Sequence, residues 1–148
     1  MKKLMQWFKV KKKYIVSLFF FVSIALVVLF FYRIDNKTND MNVSYIQNFG
    51  WLVEKKPVDI KYIKVPNNFD VIYDSYNKIQ KKIGFDLSNY KGCKLIRYSY
   101  KVLNHKETDQ DVRANVFIYN KKITCADISS IDFNGFIHEM DDKNKIAQ

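Results

Sequence analysis

The stretch VRANVFIYNKKITCADISSI, residues 112–131, contains two runs in which apolar and polar side chains alternate. The runs are Val112–Tyr119 and Ile123–Ile131, and such alternation is typical of half-buried β-strands. Only Asn120-Lys121-Lys122 separates them, which predicts an antiparallel hairpin. We therefore expect a domain built around an antiparallel sheet.

The register of this hairpin follows from its apolar side chains. A shift by one residue would move every apolar side chain to the other face of the sheet. Keeping the apolar faces together places Val116 opposite Ala126. We expect a three-residue loop with Asn120 or Lys121 in the left-handed region.

Two segments upstream extend the sheet. Leu95–Leu103 alternates Ile, Tyr and Val with Arg, Ser and Lys, and the polar loop His105–Asp111 follows it. Val58–Val65 also has an extended pattern and is closed by Pro66. These segments predict a sheet of three to four antiparallel strands.

A long helix precedes the central strands. Asn67 or Asn68 can cap it, and Gly84 can end it. We expect its apolar face to pack on the sheet, so the fold class is α+β. Six side chains at helical spacing form this face: Phe69, Ile72, Tyr73, Tyr76, Ile79 and Ile83.

The remaining segments complete the organisation of the domain. Residues 33–42 are polar and form a stalk. Ser44 can cap a short helix that Gly50 ends. The folded unit is predicted to cover residues 43–138, and residues 139–148 form a frayed tail.

The run Tyr14–Tyr32 (YIVSLFFFVSIALVVLFFY) has 19 residues and no charged side chain. As a helix it would span about 28 Å, close to the hydrocarbon thickness of a bilayer. A cleaved secretory signal is the alternative, but its apolar region is normally shorter and ends at small residues. Because the run ends in Leu29–Arg33 (LFFYR), we predict an uncleaved transmembrane helix over residues 14–32.

Residues 1–13 contain six lysines and no acidic residue. Short flanking segments rich in Lys and Arg stay on the cytoplasmic side of a membrane. We therefore predict that residues 1–13 are a cytoplasmic basic segment and that the C-terminal domain lies outside the cell membrane.

The net charge of +10 is concentrated near this segment. Residues 1–40 carry eight basic and two acidic side chains, whereas residues 41–148 carry seventeen and thirteen. The remaining lysines are scattered among acidic residues, and a nucleic-acid surface needs clustered basic side chains. We expect no nucleic-acid partner.

The two cysteines, Cys93 and Cys125, fall on strands separated by a third. Two strand spacings are about 9.6 Å, whereas a disulfide needs Cα atoms within about 7 Å. We expect two free thiols, with a disulfide as the alternative.

His105 lies in a polar loop and His138 precedes an acidic tail. We expect both to be solvated surface side chains, because a metal site needs three or four convergent ligands. No paired carboxylates, phosphate-binding loop or nucleophile motif is present. We predict no catalytic residue, no metal and no cofactor.

Four polar side chains form one possible binding face: Arg97, Arg113, Asn115 and Asp127. In the predicted register Asp127 faces Asn115, and Arg97 faces Phe117. We expect them on the side of the sheet away from the long helix. In the structural interpretation, Asp127 forms a cross-strand ion pair with Arg113 on the diagonal, and Arg97 makes a cation–π contact with Phe117. The functional reading is a surface for a peptide or wall polymer.

Several motifs resemble those of the domain-of-unknown-function 4830 family. They are YIQNFGW (45–51), GFDLSNYKG (84–92), VRAN (112–115), ADI (126–128) and DFNGFIH (132–138). The resemblance covers nearly all of residues 43–138. It implies a small bacterial domain that is membrane-anchored or secreted, with no assigned activity.

These patterns together indicate a single-pass membrane protein that displays a noncatalytic binding or regulatory module at the cell envelope. Its partners would be the membrane and a protein or cell-wall component outside. An accessory envelope enzyme, a hydrolase or a thiol-dependent enzyme, is the alternative. The sequence does not predict the oligomeric state.

Overall fold

The computed structural model describes the backbone of residues 2–107, 111–132 and 135–147. Within these ranges, the side chains of residues 2–13 and 31–35 are not described. The chain forms two compact units, Met1–Thr38 and Asn39–Gln148.

Helix α1 extends over Lys2–Asn48 and makes up the described part of the first unit. The large apolar side chains from Tyr14 to Phe30 are 45–72% exposed. Among the described residues, no helix combines the length and hydropathy that crossing a membrane would require. The side chains of the predicted basic segment 1–13, and those of Phe31 and Tyr32, lie outside the described set.

The predicted short helix after Ser44 is the C-terminal end of α1, so Ser44 is an exposed interior residue and not a cap. The predicted stalk is part of the same helix. Residues 2–48 contain neither proline nor glycine, and nothing in them breaks a helix. Gly50, with φ of 92°, follows its end as expected.

The second unit contains one antiparallel sheet with its strands in chain order. Helix α2, Val71–Lys82, connects the first two strands. The α+β prediction is confirmed, with five strands in place of three to four because the last is a two-residue strand. The strands are β1 Asp59–Lys64, β2 Lys94–Lys101, β3 Val112–Tyr119, β4 Lys122–Ser130 and β5 Ile137–His138.

The predicted hairpin register is confirmed, since Val116 pairs with Ala126. The loop, however, has two residues, Asn120 and Lys121, and both have positive φ. A register shift after Phe117 makes Thr124 an extra residue in β4 and reconciles the shorter loop with the register. Thr124 donates a hydrogen bond to the Phe117 carbonyl at 3.1 Å.

The two faces of the sheet are covered by different helices. The face with Tyr100 and Val116 packs against Ile46 in the last turns of α1. There, Asn42 donates a hydrogen bond to the Tyr100 hydroxyl at 3.1 Å. Helix α2 lies over the opposite face, with Tyr76 near Phe117. The long helix of the prediction is α2. The expectation that Arg97, Arg113, Asn115 and Asp127 lie on the face of the sheet away from it is therefore wrong.

The C-terminal segment is packed, which corrects the prediction of a frayed tail. Met140 is fully buried, and its carbonyl accepts a hydrogen bond from Trp51 Nε1 at 2.6 Å. Ala147 N donates to the Asn104 carbonyl at 2.8 Å. The segment is held because its few apolar side chains cover Trp51 and the end of the sheet.

Candidate functional site

Helix α2 is fixed to the rest of the domain by polar side chains. Asn77 donates to Asp86 at 2.9 Å and accepts from the Leu87 N–H at 2.7 Å. Gln80 accepts from the Ala126 N–H at 2.9 Å. These two amides are the buried residues of the helix.

Two apolar side chains at the start of α2 are far more exposed than its two buried amides. Val71 is 82% exposed and Ile72 is 76% exposed. The predicted apolar face therefore packs only in part: Tyr73 and Tyr76 pack on the core below α2, whereas Ile72 does not. Apolar surface in this position is available to a ligand.

A cleft of about 690 Å³ lies between α2 and the sheet, and we call it the apolar cleft. Its volume is within the range of about 300–1,000 Å³ found for ligand sites. The side chains that form its walls include Ile63, Ile72, Ile79, Leu95, Phe117 and Ile137.

Asp127 lies at the polar end of the apolar cleft and is 2% exposed. The Tyr76 hydroxyl donates to its Oδ2 at 2.6 Å, and Asn115 Nδ2 donates to its Oδ1 at 2.7 Å. The same amide donates to Ser129 Oγ at 2.9 Å, and its oxygen accepts from Ser99 Oγ at 2.6 Å. Four polar residues around Asp127 thus form a network that fixes its carboxylate: Tyr76, Ser99, Asn115 and Ser129.

Burial raises the pKa of Asp127 above its usual value of 3.8. The hydrogen bonds from Tyr76 and Asn115 and the charge of Arg97 oppose this increase. Burial, together with the charge of Asp127, raises the pKa of the Tyr76 hydroxyl, which keeps it a hydrogen-bond donor. A buried carboxyl with a shifted pKa beside a cleft is typical of functional sites.

A second cleft of about 390 Å³ adjoins the first, and we call it the cationic cleft. The positively charged side chains along it are Lys61, Arg97 and Arg113. Arg97 Nη2 pairs with Asp59 at 3.1 Å, and Arg113 Nη2 pairs with Asp111. Among the described residues, the buried Nε of each arginine has no hydrogen-bond partner.

The structure brings together all four residues of the predicted binding face. Arg97, Asn115 and Asp127 line the apolar cleft, while Arg113 lines the cationic cleft with Arg97 and Asn115. The predicted pairings of Asp127 with Asn115 and of Arg97 with Phe117 are confirmed. The predicted ion pair of Asp127 with Arg113 is wrong, because Arg113 pairs with Asp111, while Arg97 forms a cross-strand pair with Asp59 on β1.

Sequence reasoning missed Tyr76 and Ser129 as members of the site. Tyr76 lies on the apolar face of α2, where its ring suggested a core residue. Ser129 lies two residues after Asp127, and this spacing places both side chains on one face of β4. That spacing was the available signal for Ser129, whereas the hydroxyl contact of Tyr76 depends on how α2 packs.

Both cysteines are free, as expected. Cys125 is fully buried, and burial raises the pKa of its thiol far above the usual range, with a further contribution from Asp127. Because the thiolate is the reactive form, Cys125 is a poor nucleophile in this structure.

We predict that iodoacetamide modifies Cys93 in the folded chain and leaves Cys125 unmodified until the domain unfolds. Cys93 is partly exposed, and the chain has only these two thiols. Peptide mass mapping before and after addition of urea checks this. Equal modification of both thiols without urea would contradict it.

The two histidines stack on each other, one buried and one partly exposed, which corrects the expectation of solvated side chains. His105 is 4% exposed and stacks between Trp51, at 5.6 Å, and Phe136, at 5.0 Å between ring centroids. His105 Nε2 lies 3.3 Å from His138 Nε2. Both imidazole rings contact aromatic side chains, Trp51 and Phe136, because the C-terminal segment packs over Trp51.

Backbone contacts assign the tautomers of this pair. His105 Nδ1 accepts from the Glu107 N–H at 3.1 Å, so its Nε2 carries the hydrogen. His138 Nδ1 lies 2.8 Å from the Glu139 carbonyl and must donate, so its Nε2 accepts. With these tautomers His105 Nε2–H donates to His138 Nε2, and a proton on His105 Nδ1 would break its hydrogen bond with the Glu107 N–H. Among the described residues, no group of three or more His, Cys, Asp and Glu side chains is placed to hold a metal ion.

We predict that the melting temperature falls as the pH decreases from 7.5 to 5. Burial and then the His138 charge lower the pKa of His105 below 6.5, with Lys145 acting in the same direction and Glu107 opposing. The unfolded state therefore binds the proton more readily, and stability is lost as the pH falls below 6.5 and through the folded-state pKa. Thermal scans check this, and His105→Gln should flatten the profile; an equal decrease in that variant would assign the effect to other groups.

Comparison with known proteins gives one match. The sequence model of the family described as a domain of unknown function (DUF4830) matches residues 45–128, which contain α2, β1 to β3 and most of β4 with Asp127. No curated protein and no solved structure matches the chain.

Proposed function

Since this chain belongs to the DUF4830 family, whose function is unknown, we propose a function from its own geometry. The protein is a noncatalytic binding module, anchored by a single membrane-spanning helix, that displays its domain outside the cell membrane. The apolar cleft is its ligand site.

The observation that carries this proposal is the apolar face of α2. Apolar side chains that bury themselves against a core stabilise a fold, and exposed ones do not. Here, Ile72 and Val71 are exposed while polar Asn77 and Gln80 are buried. A ligand between α2 and the sheet would bury this surface and leave the polar anchors of the helix in place.

The membrane anchor is supported by the composition of α1. Residues 14–32 contain no charge, and the described apolar side chains from Tyr14 to Phe30 are exposed on all sides of the helix. An apolar surface of this kind needs an apolar surrounding. The six lysines before it favour a cytoplasmic N-terminus, and the domain after it is then outside.

A catalytic role for the site is the second candidate, favoured by the buried carboxyl of Asp127. We prefer binding because the Tyr76 hydroxyl and the Asn115 amide each engage one of its oxygens. A general base must come within hydrogen-bond reach of a substrate proton, and Asp127 is only 2% exposed. The thiol-dependent alternative is weakened by the burial of Cys125.

A titration with 1-octanol, a neutral apolar probe, tests the cleft. The full chain is placed in phosphatidylcholine nanodiscs and the Ile Cδ1 methyl groups are followed by NMR. We expect the signals of Ile63, Ile72, Ile79 and Ile137 to shift, while Ile46 and Ile128 in the opposite core serve as internal controls. Ser75→Trp, which fills the cleft from its wall, should abolish the shifts. No shift in any cleft isoleucine would contradict the proposal.

Fractionation of cells that express the full chain tests the anchor. We expect the protein to remain with the membranes in alkaline carbonate. Protease added to intact spheroplasts should degrade the domain. Recovery in the soluble fraction, or full protection from the protease, would contradict the anchor or its orientation.

A further inference from the structure

We propose that the ligand is a single-chain amphiphile with an anionic head. Its chain occupies the apolar cleft, and its carboxylate or phosphate head lies against Arg97 and Arg113. This inference rests on the proposed function, because it assigns a chemical class to the ligand of the same cleft.

The two clefts meet where such a head would lie. Arg97, Asn115 and Ser129 line both of them. On one side of this boundary the walls are mainly aliphatic and aromatic side chains of α2 and the sheet. On the other side they carry Lys61, Arg113 and serine hydroxyls. A ligand that reaches the boundary therefore needs an apolar part and a polar part.

The sign of the head follows from the hydrogen-bonding groups that remain. Each arginine uses Nη2 for an aspartate, and among the described residues its buried Nε lacks an acceptor. An unsatisfied buried donor is costly, and a guanidinium can bind a carboxylate or phosphate through two parallel N–H groups. An anionic head beside Arg97 and Arg113 would supply these acceptors.

A cationic head in the apolar cleft would face Asp127, the carboxyl that lines it. Both oxygens of Asp127 already accept hydrogen bonds, and the residue is 2% exposed. The cationic cleft is lined by a different carboxyl, that of Asp59, which contacts both Lys61 at 3.3 Å and Arg97 at 3.1 Å. Lys61, Arg97 and Arg113 are therefore paired with two carboxylates, Asp59 and Asp111, and the remaining excess of one positive charge favours an anion.

The test compares octanoate and octyl phosphate with two eight-carbon controls, 1-octanol and octylammonium, in the same methyl NMR titration. Empty nanodiscs give the free concentration of each probe. We expect octanoate or octyl phosphate to bind at least about tenfold more tightly than octanol, since a hydrogen bond between a guanidinium and an anion is stronger than one between neutral groups. Acetate and inorganic phosphate, which lack a chain, should bind more weakly than either.

Substitutions in the chain test where the anionic head of the ligand binds. Arg113→Gln should weaken the binding of the anionic probes about tenfold and leave octanol unchanged. Lys122→Gln, at the exposed end of β4, makes the same change in net charge and should alter neither. Arg113→Lys keeps the charge but loses the paired N–H groups, and should give an intermediate affinity. Unchanged Ile46 and Ile128 signals show that a variant is folded.

The outcomes separate this inference from the proposed function. If octanol and octanoate shift the cleft isoleucines with equal affinity, the cleft binds apolar ligands and the anionic head is wrong. Tighter binding of octylammonium would likewise overturn the anionic head. If no probe shifts these signals, the proposed function fails as well. Preference for octyl phosphate over octanoate identifies a phosphate head, and the reverse identifies a carboxylate.

Discussion

Replacing Trp51 with alanine is expected to lower the free energy of unfolding of the Asn39–Gln148 unit by about 3–5 kcal/mol. Trp51 is fully buried and belongs to the larger of the two cores, between the end of α1 and the sheet. Its removal leaves a cavity among residues that are fixed on several sides. It also leaves the Met140 carbonyl without the donor that lies 2.6 Å away.

The consequences of this substitution extend to the C-terminal segment. The Trp51 ring stacks on His105 with an interplanar angle of 14°, and its N–H binds the segment at Met140. We therefore expect the histidine stack to loosen and residues 139–147 to become sensitive to protease before the sheet does.

Pulse proteolysis in urea measures the effect on the full chain in nanodiscs. Trp51→Phe is the matched control, because it keeps an aromatic ring and removes the N–H donor. This control should cost about 1–3 kcal/mol. A loss of less than 1 kcal/mol in the alanine variant would show that the Trp51 contacts described above do not stabilise the domain.

The hairpin was the part of the fold most open to sequence reasoning. Its register depends on local alternation. Pairing Val116 with Ala126 keeps the apolar side chains of both strands on the same face of the sheet, and a shift by one residue would not. The bulge at Thr124 was not predicted because it depends on a hydroxyl reaching the Phe117 carbonyl. Local pattern thus determined the pairing, and a side-chain contact determined the loop length.

The placement of α2 could not be predicted from its periodicity. Periodicity identifies the apolar face of a helix, but it does not say which surface that face meets. The end of α1 covers the uniformly apolar face of the sheet, so α2 lies on the mixed face with Asp127 and Asn115. Its orientation there is set by Asn77, which accepts from the Leu87 N–H just after the helix, and by Gln80, which accepts from the Ala126 N–H of β4.

The site itself was half predictable. Strand periodicity placed Arg97, Arg113, Asn115 and Asp127 on one face, and the structure confirms this. The cleft over them was not predicted, because a cleft forms where the side chains of two elements do not fill the space between them, and this depends on how the elements pack. The packed C-terminal segment was missed for a related reason: Met140 and Ile146 are two apolar side chains in a polar stretch, and their burial needs Trp51 nearby.

The second large effect is expected for Tyr76→Phe, which should lower the free energy of unfolding by about 2–3 kcal/mol at neutral pH. The substitution removes the donor 2.6 Å from Asp127 Oδ2 and keeps the aromatic ring. Burial already raises the pKa of Asp127, and the Tyr76 hydroxyl counteracts this increase. Without the hydroxyl, the ionised carboxylate keeps Asn115 as its donor but loses the bond to Oδ2.

The pH dependence separates this effect from a loss of packing. The missing hydrogen bond stabilises the ionised form of Asp127, so the pKa of Asp127 in the folded variant should be higher still. The cost of the substitution is then largest above that pKa. It decreases as the pH falls through the folded-state pKa of the variant and then through that of the parent chain, both above 3.8, because below them the carboxyl is protonated in both folded proteins. Tyr73→Phe is the matched control on the same helix, and its cost should be small at every pH. Urea unfolding of both variants between pH 4 and 8 checks this; a cost for Tyr76→Phe that is independent of pH would show that the hydroxyl does not stabilise the buried charge.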